Sequence, residues 1–162
     1  MKEIVIFTDG SCKGPTRNKR AGCGVYFPKH KKYNISYKIK RGNITNQVAE
    51  LTACIKGIEK VLSKIVFYKI IIYTDSMYLI NSITCWADKW KENKWKKSDG
   101  EIILNKKLIK KLYFYYKNLN IEFHHVKAHK KEPENKLTED YKLWYGNHMA
   151  DKLANDGADL KT

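Results

Sequence analysis

The sequence predicts an α/β domain spanning residues 1–162, built on a mixed five-stranded sheet in the order β-β-β-α-β-α-α-β-α with helices packed on it. Three observations predict this class. The first quarter of the chain holds three short strand-like runs and no helical spacing. A long segment of helical period then leads into "KIIIYTD", a run apolar without alternation, which suits a strand covered on both faces. A helix between two strands of one sheet is a crossover connection, so the strands it joins lie parallel.

The elements follow in order. "EIVIF" is the first strand and "GCGVYF" the second. "YNISYKI" is the third, with Ile35, Tyr37 and Ile39 alternating with polar positions. In "TNQVAELTACIKGIEKVL" the residues Val48, Leu51, Ile55, Ile58 and Leu62 recur at helical spacing, with Thr45 or Asn46 as cap. "KIIIYTD" is the fourth strand and "SMYLINSIT" a helix. "EIILNKKLIKKLYFYYK" reads as a helix with Ile102, Ile103, Leu108 and Leu112 on its apolar side. "NIEFHHVKAH" is a fifth strand ending near His129, with His124 and His125 as structural residues. "GNHMADKLANDGA" closes the chain as a short helix.

Lys and Arg number 32 against 17 Asp and Glu, a formal charge of +15. A surplus this large points to anionic partners, nucleic acid before membrane surfaces. No apolar stretch is long enough to span a bilayer. The first strand begins almost at Met1, so no signal or organelle presequence is expected, and the expected location is intracellular, in cytoplasm or nucleus. Cys12, Cys23, Cys54 and Cys85 are scattered without a C-x-x-C pair, which predicts free thiols and no zinc site.

Two apolar runs end on the same pair, Thr8-Asp9 in "IFTDGSC" and Thr74-Asp75 in "IIIYTDS". Gly10 is expected to turn the chain there. Ligands of open α/β sheets gather beyond the carboxyl ends of parallel strands, so Asp9 and Asp75 are expected to meet. Glu50 lies in the first turns of the long helix and Asp151 in the last helix beside Ala150 and Ala154. Gly57 would let the long helix approach the sheet closely. Converging carboxylates repel and raise one another's pKa values unless a cation joins them. Magnesium (Mg²⁺) takes such oxygen ligands, and manganese suits them too. Two ions about 4 Å apart activate water and stabilise a leaving oxygen in phosphoryl transfer. Acids of this kind in a strongly basic protein point to a phosphodiester substrate.

The fragments "FTDGSC", "TNQVAELTA", "YTDS", "HHVKAH" and "GNHMADKLA", in this order, resemble type 1 ribonucleases H over nearly the whole chain. "ITCWADKWKENKWK", residues 83–96, resembles the basic protrusion of cellular members, expected over about residues 84–99. The resemblance implies a ribonuclease H-like fold and an endoribonuclease cutting the RNA strand of RNA–DNA hybrids, leaving 5′-phosphate and 3′-hydroxyl ends. It implies that Asp9, Glu50, Asp75 and Asp151 hold two magnesium ions, with Asp9 bridging. His129 would transfer a proton or assist release. Ser11, Cys12 and Gly14, with Asn46 and Gln47, would contact the RNA strand, the last two through ribose hydroxyls. Thr45 and Asn105 match a phosphate pocket on the DNA strand, and Tyr78, Trp86 and Trp90 match positions that pack on deoxyriboses. Read from helical spacing alone, Trp86 and Trp90 serve equally as core residues, and Trp95 caps the protrusion by packing or joins the contact surface. Lys89, Lys91, Lys94, Lys96 and Lys97 surround them.

Two departures from the family pattern stand out. The pocket arginine of human-like members is replaced by Asn43, and Arg41 is a candidate substitute. The stretch from Lys130 to Tyr145 is much longer than the family's loop and reads as a lid or, preferred, a surface excursion. The expected partner is a hybrid duplex bound by a monomer, with no membrane and no separate hybrid-binding module. Rival readings are a non-catalytic hybrid-binding module or another nuclease of this fold, such as a junction resolvase or a reverse-transcriptase ribonuclease domain.

Overall fold

The computed structural model describes residues 2–42 and 44–161. β1 (Lys2–Lys13), β2 (Arg20–Tyr26) and β3 (Ile35–Ile39) form an antiparallel meander. α1 (Asn46–Lys64) crosses over to β4 (Phe67–Thr74), which pairs parallel with β1 from Lys2↔Phe67 to Phe7↔Tyr73. β5 (Ile121–His125) adds parallel to β4, giving the order β3-β2-β1-β4-β5. The mixed five-stranded sheet read from the sequence is the sheet observed.

Thr45 caps α1: its Oγ1 accepts from the Val48 amide at 3.1 Å. Leu51, Ile55 and Ile58 are buried as their spacing predicts, but Val61 completes the stripe, and Leu62 is exposed. A Cβ on Gly57 would stand 2.8 Å from Ile6 Cδ1, so the glycine is what lets α1 rest on the sheet. The helix expected over 76–84 runs on: α2 (Met77–Asn81) passes through a π-turn at Ser82–Trp86 into α3 (Ala87–Glu92). The chain reverses at Lys94 and Trp95, both with positive φ (55° and 62°). α4 (Lys106–Asn118) starts later than expected because Asn105 takes a left-handed conformation, φ 59°. Ile102 is therefore exposed rather than on a helical stripe, while Ile103 is buried.

The largest core lies between the sheet and α1, α2 and α4, with Ile6, Val25, Leu51, Ile58, Ile72 and Leu112 at its centre. α5 (Glu139–Ala158) covers the other face. Its backbone lies directly on β2. A Cβ on Gly24 would come within 2.2 Å of the Ala150 carbonyl oxygen, and one on Gly22 within 2.2 Å of that of Ala154. α5 begins well before Gly146, so the stretch 130–145 is neither a lid nor an excursion throughout: its second half is helix. Leu143 and Tyr145 pack against Phe7, Tyr26 and Val126. β5 stops at His125, short of the expected end near His129. His124 stacks on Tyr73 at 5.2 Å and hydrogen-bonds Glu122. All four cysteines are free. Among the described residues no helix is long and apolar enough to cross a membrane.

Candidate active site

β1 pairs with β4 only as far as Phe7, yet continues beside β2 to Lys13. Asp9 lies in this overhang, opposite Gly24, with no parallel neighbour on its other side. The turn expected at Gly10 is absent; Gly10 continues the strand opposite Cys23. The glycine serves a different need. A Cβ there would lie 2.5 Å from Ala49 C and Glu50 N, so α1 presses its early turns onto β1 at this point. That contact sets Glu50 beside Asp9. β4 ends at Thr74, whose Oγ1 accepts from the Ser76 amide at 3.1 Å, and Asp75 sits in the bend between.

One carboxylate oxygen from each of Asp9, Glu50 and Asp75 lies within 4.8 Å of the others. Asp9 is only 4% exposed, and Glu50 Oε2 is buried with no hydrogen-bond partner. Asp151 lines the same cleft from α5 without joining the tight group. Asn155 Nδ2 donates to Asp151 Oδ2 at 3.3 Å, and Ser11 Oγ donates to Asn155 Oδ1 at 2.7 Å, so a relay from β1 orients the fourth acid. Burial, then the charges of Glu50 and Asp75, pushes the Asp9 carboxyl far above its ordinary range. Glu50 is raised by burial and by Asp75, and Asp75 by burial and by Asp151. Three acids this close, one with an orphaned buried oxygen, form a donor set of hard oxygens that fits a divalent cation.

The RNase H family profile matches residues 1–159. The chain belongs to the RNase H family. It is 36% identical over 156 residues to ribonuclease H1 of Homo sapiens, covering 96% of this chain and 50% of that protein. It is 32% identical over 165 residues to ribonuclease H of Clostridium botulinum, covering 98% of this chain and 97% of that protein. The PFV RNase H domain, solved in solution, superposes with a TM-score of 0.71 at 26% identity, covering 96% of this chain and 93% of that domain. The chain thus spans half the length of its mammalian relatives and nearly all of the bacterial one.

The cleft above the acids has a volume of about 630 Å³. Asn46, Gln47 and His129 line it, as does Gly10; Ser11, Cys12 and Gly14 lie further along the chain from Asp9 and do not. His129 is exposed with φ 55°. Asn105 Nδ2 donates to the Tyr78 hydroxyl at 3.1 Å, joining two residues far apart in sequence. Trp86 and Trp90 stand 5.8 Å apart; Trp86 is 41% exposed, while Trp90 packs partly on the main core. Trp95 packs edge-on against Tyr113 and partly on the main core, as the packing alternative expects. Arg41 is exposed and lies beyond the end of β3, so strand alternation says nothing about its direction. Asn43 falls outside the described residues.

The cleft also takes in Ser76, Lys130, Trp144, Asn147 and His148, which sequence reasoning did not single out. Ser76 was legible as a cap before a helical run; its Oγ accepts from Leu79 N at 3.1 Å. Trp144 was hidden because its stretch read as loop. The signal was there in Thr138-Glu139-Asp140, a capping hydroxyl followed by two acids in a first turn.

Proposed function

We propose that this chain is an endoribonuclease that hydrolyses the RNA strand of RNA–DNA hybrids with two magnesium ions, leaving 5′-phosphate and 3′-hydroxyl ends. The observation that carries the reading is the tight group of Asp9, Glu50 and Asp75 with an unpartnered buried oxygen on Glu50. Asp9, Glu50, Asp75 and Asp151 would hold the ions. Magnesium, when bound, supplies Lewis-acid polarisation of the phosphodiester and lowers the pKa of bound water.

The chain's own residues do the rest. His129, on the cleft's rim, transfers a proton during cleavage or release of product. Asn46 and Gln47, exposed in the first turn of α1, read ribose 2′-hydroxyls, which separates RNA from DNA at that subsite. Thr45 keeps a hydroxyl proton to offer a phosphate while its oxygen caps α1. Asn105, joined to Tyr78, would face the DNA strand with Trp86, and the protrusion lysines would hold its phosphates. Arg41 is the candidate for the pocket cation. The same acid group disfavours a purely binding role, because buried acids without a cation cost stability and do not attract a polyanion.

The test is cleavage of an end-labelled hybrid with magnesium, beside single strands, duplexes and four-way junctions. Cleavage confined to the RNA of the hybrid and abolished in Asp75→Asn is the expected result. Cutting of junction DNA alone, or binding of hybrid without cleavage in magnesium, would overturn the proposal.

A further inference from the structure

The connection from Val126 to Thr138 carries His129 to the edge of the cleft, yet it has few ties to the body. Val126 N donates to Thr74 O at 3.0 Å where the loop leaves the sheet. Asn135 organises the other end, accepting from Leu137 N and from Thr138 Oγ1. Among the described residues, one hydrogen bond reaches from the intervening span, 127–134, to the rest of the molecule. It is the indole N–H of Trp144, which donates to the Lys130 carbonyl oxygen at 2.9 Å.

That bond acts on the residue next to His129. His129 has a left-handed backbone, φ 55°, which a residue with a Cβ holds only where its surroundings fix it. The anchor is held by ring contacts on both sides. Trp144 stands on α5, and its ring stacks on His148 one turn further along, centroids 4.8 Å apart and planes 12° apart. Tyr141 packs on its other side at 5.6 Å. Trp144 also lines the cleft with His129 and Lys130, so anchor and anchored loop share one wall.

We propose that Trp144 is a positioning residue: its indole N–H pins the loop that presents His129 to the acid cleft. The proposal rests on the role given to His129 above. Trp144 touches no reacting atom in this scheme; it fixes where the histidine stands.

The test compares Trp144→Phe, His129→Ala and the double variant in the full chain. Phenylalanine keeps an aromatic ring against His148 while deleting the donor and part of the indole's area, and a melting temperature within a few degrees of the parent confirms that the fold survives. Amide hydrogen exchange of residues 127–134 should speed up in Trp144→Phe while α5 stays protected. Hybrid cleavage should lose about 3- to 10-fold in kcat with KM little changed, the range of one net hydrogen bond. In the His129→Ala background the same substitution should cost less than about 2-fold, because coupled residues are not additive. Unchanged loop exchange, an unchanged kcat, or full additivity overturns the anchor. A fully active His129→Ala overturns the reading of His129 itself, and the exchange experiment then still reports whether the loop is pinned.

Discussion

Asp9→Asn should stabilise the metal-free protein, and by a margin that grows with pH. Asp9 is 4% exposed, and an oxygen of its carboxylate lies within 4.8 Å of one each from Glu50 and Asp75. In an unfolded chain such a carboxyl titrates near pH 3.9, roughly. In the fold, burial and the neighbouring acids raise it well above that value. The native state therefore holds a proton that the unfolded chain has already lost. Native excess protonation makes stability fall as pH rises, by about 1.4 kcal/mol per pH unit for each proton retained. The contribution is whole below the unfolded pKa and is lost as pH climbs through the raised one. Between about pH 5.5 and 7.5 the parent should lose roughly 3 kcal/mol from this source. Asparagine has no such proton and no charge. Glu50 is still raised by burial in the variant, so part of the slope survives there. The gap between variant and parent should widen by about 1–3 kcal/mol, or roughly 3–10 °C in melting temperature for a domain of this size. Thermal unfolding followed by circular dichroism, in chelator across that pH range, measures the gap, and taking the difference cancels the titration of groups remote from Asp9, leaving that of Asp9 and of the acids coupled to it. Saturating magnesium should shrink the gap or reverse it, since the cation stabilises only the protein that binds it. A variant less stable at every pH, or a gap that does not move with pH, would refute the idea that these acids sit under mutual strain.

Three further outcomes follow from the same geometry. Gly10→Ala should destabilise by about 2–3 kcal/mol in urea unfolding, because the new Cβ meets α1 backbone at 2.5 Å and neither element can yield cheaply. Asn155→Ala, which releases the Asp151 carboxylate from its donor, should weaken magnesium binding by about 10- to 100-fold in calorimetry while leaving the fold intact. Replacing Lys94 and Lys96 together by alanine should weaken hybrid binding uniformly across sequences and flatten the plot of log Kd against log salt by up to about 2, roughly 0.9 for each phosphate no longer neutralised.

Element types were legible in the sequence because their hydrophobic periods are strong: the stripe Leu51-Ile55-Ile58 and the unbroken run Ile70-Ile71-Ile72 each admit one reading. Boundaries were less legible, each for a local reason. Gly10 reads as a turn because glycine usually punctuates strands, whereas here it makes room for a helix backbone. Asn105 delays the start of a run with good helical composition by its left-handed backbone, and its side chain bonds Tyr78, a partner no local pattern encodes. The start of α5 is hard to see because mixed charge in "KKEPENKLTEDYK" masks a capped helix. Of the site, Asp9 and Asp75 were visible as charges closing buried runs. Asp151 could be placed on its helix, but the relay Ser11–Asn155–Asp151 that orients it exists only once β1 and α5 are packed.

The position of the chemistry follows from one strand stopping while its neighbour goes on. β4 cannot continue past Thr74, because Ser76 is committed to capping α2 and the Thr74 hydroxyl takes its amide. β1 can continue, because β2 still pairs with it as far as Lys13. The overhang leaves Asp9 at a sheet edge with no strand on one side, and the two faces there are covered by helices. Gly10 clears one face for α1, which delivers Glu50; Gly24, opposite Asp9, clears the other for α5, where Ala150 rests on it and Asp151 comes next in the chain. A Thr-Asp pair at a strand end is therefore not enough to build such a site. It needs the unequal strands and the two glycines as well, and a side chain at either glycine would hold one helix off and withdraw the acid that helix carries.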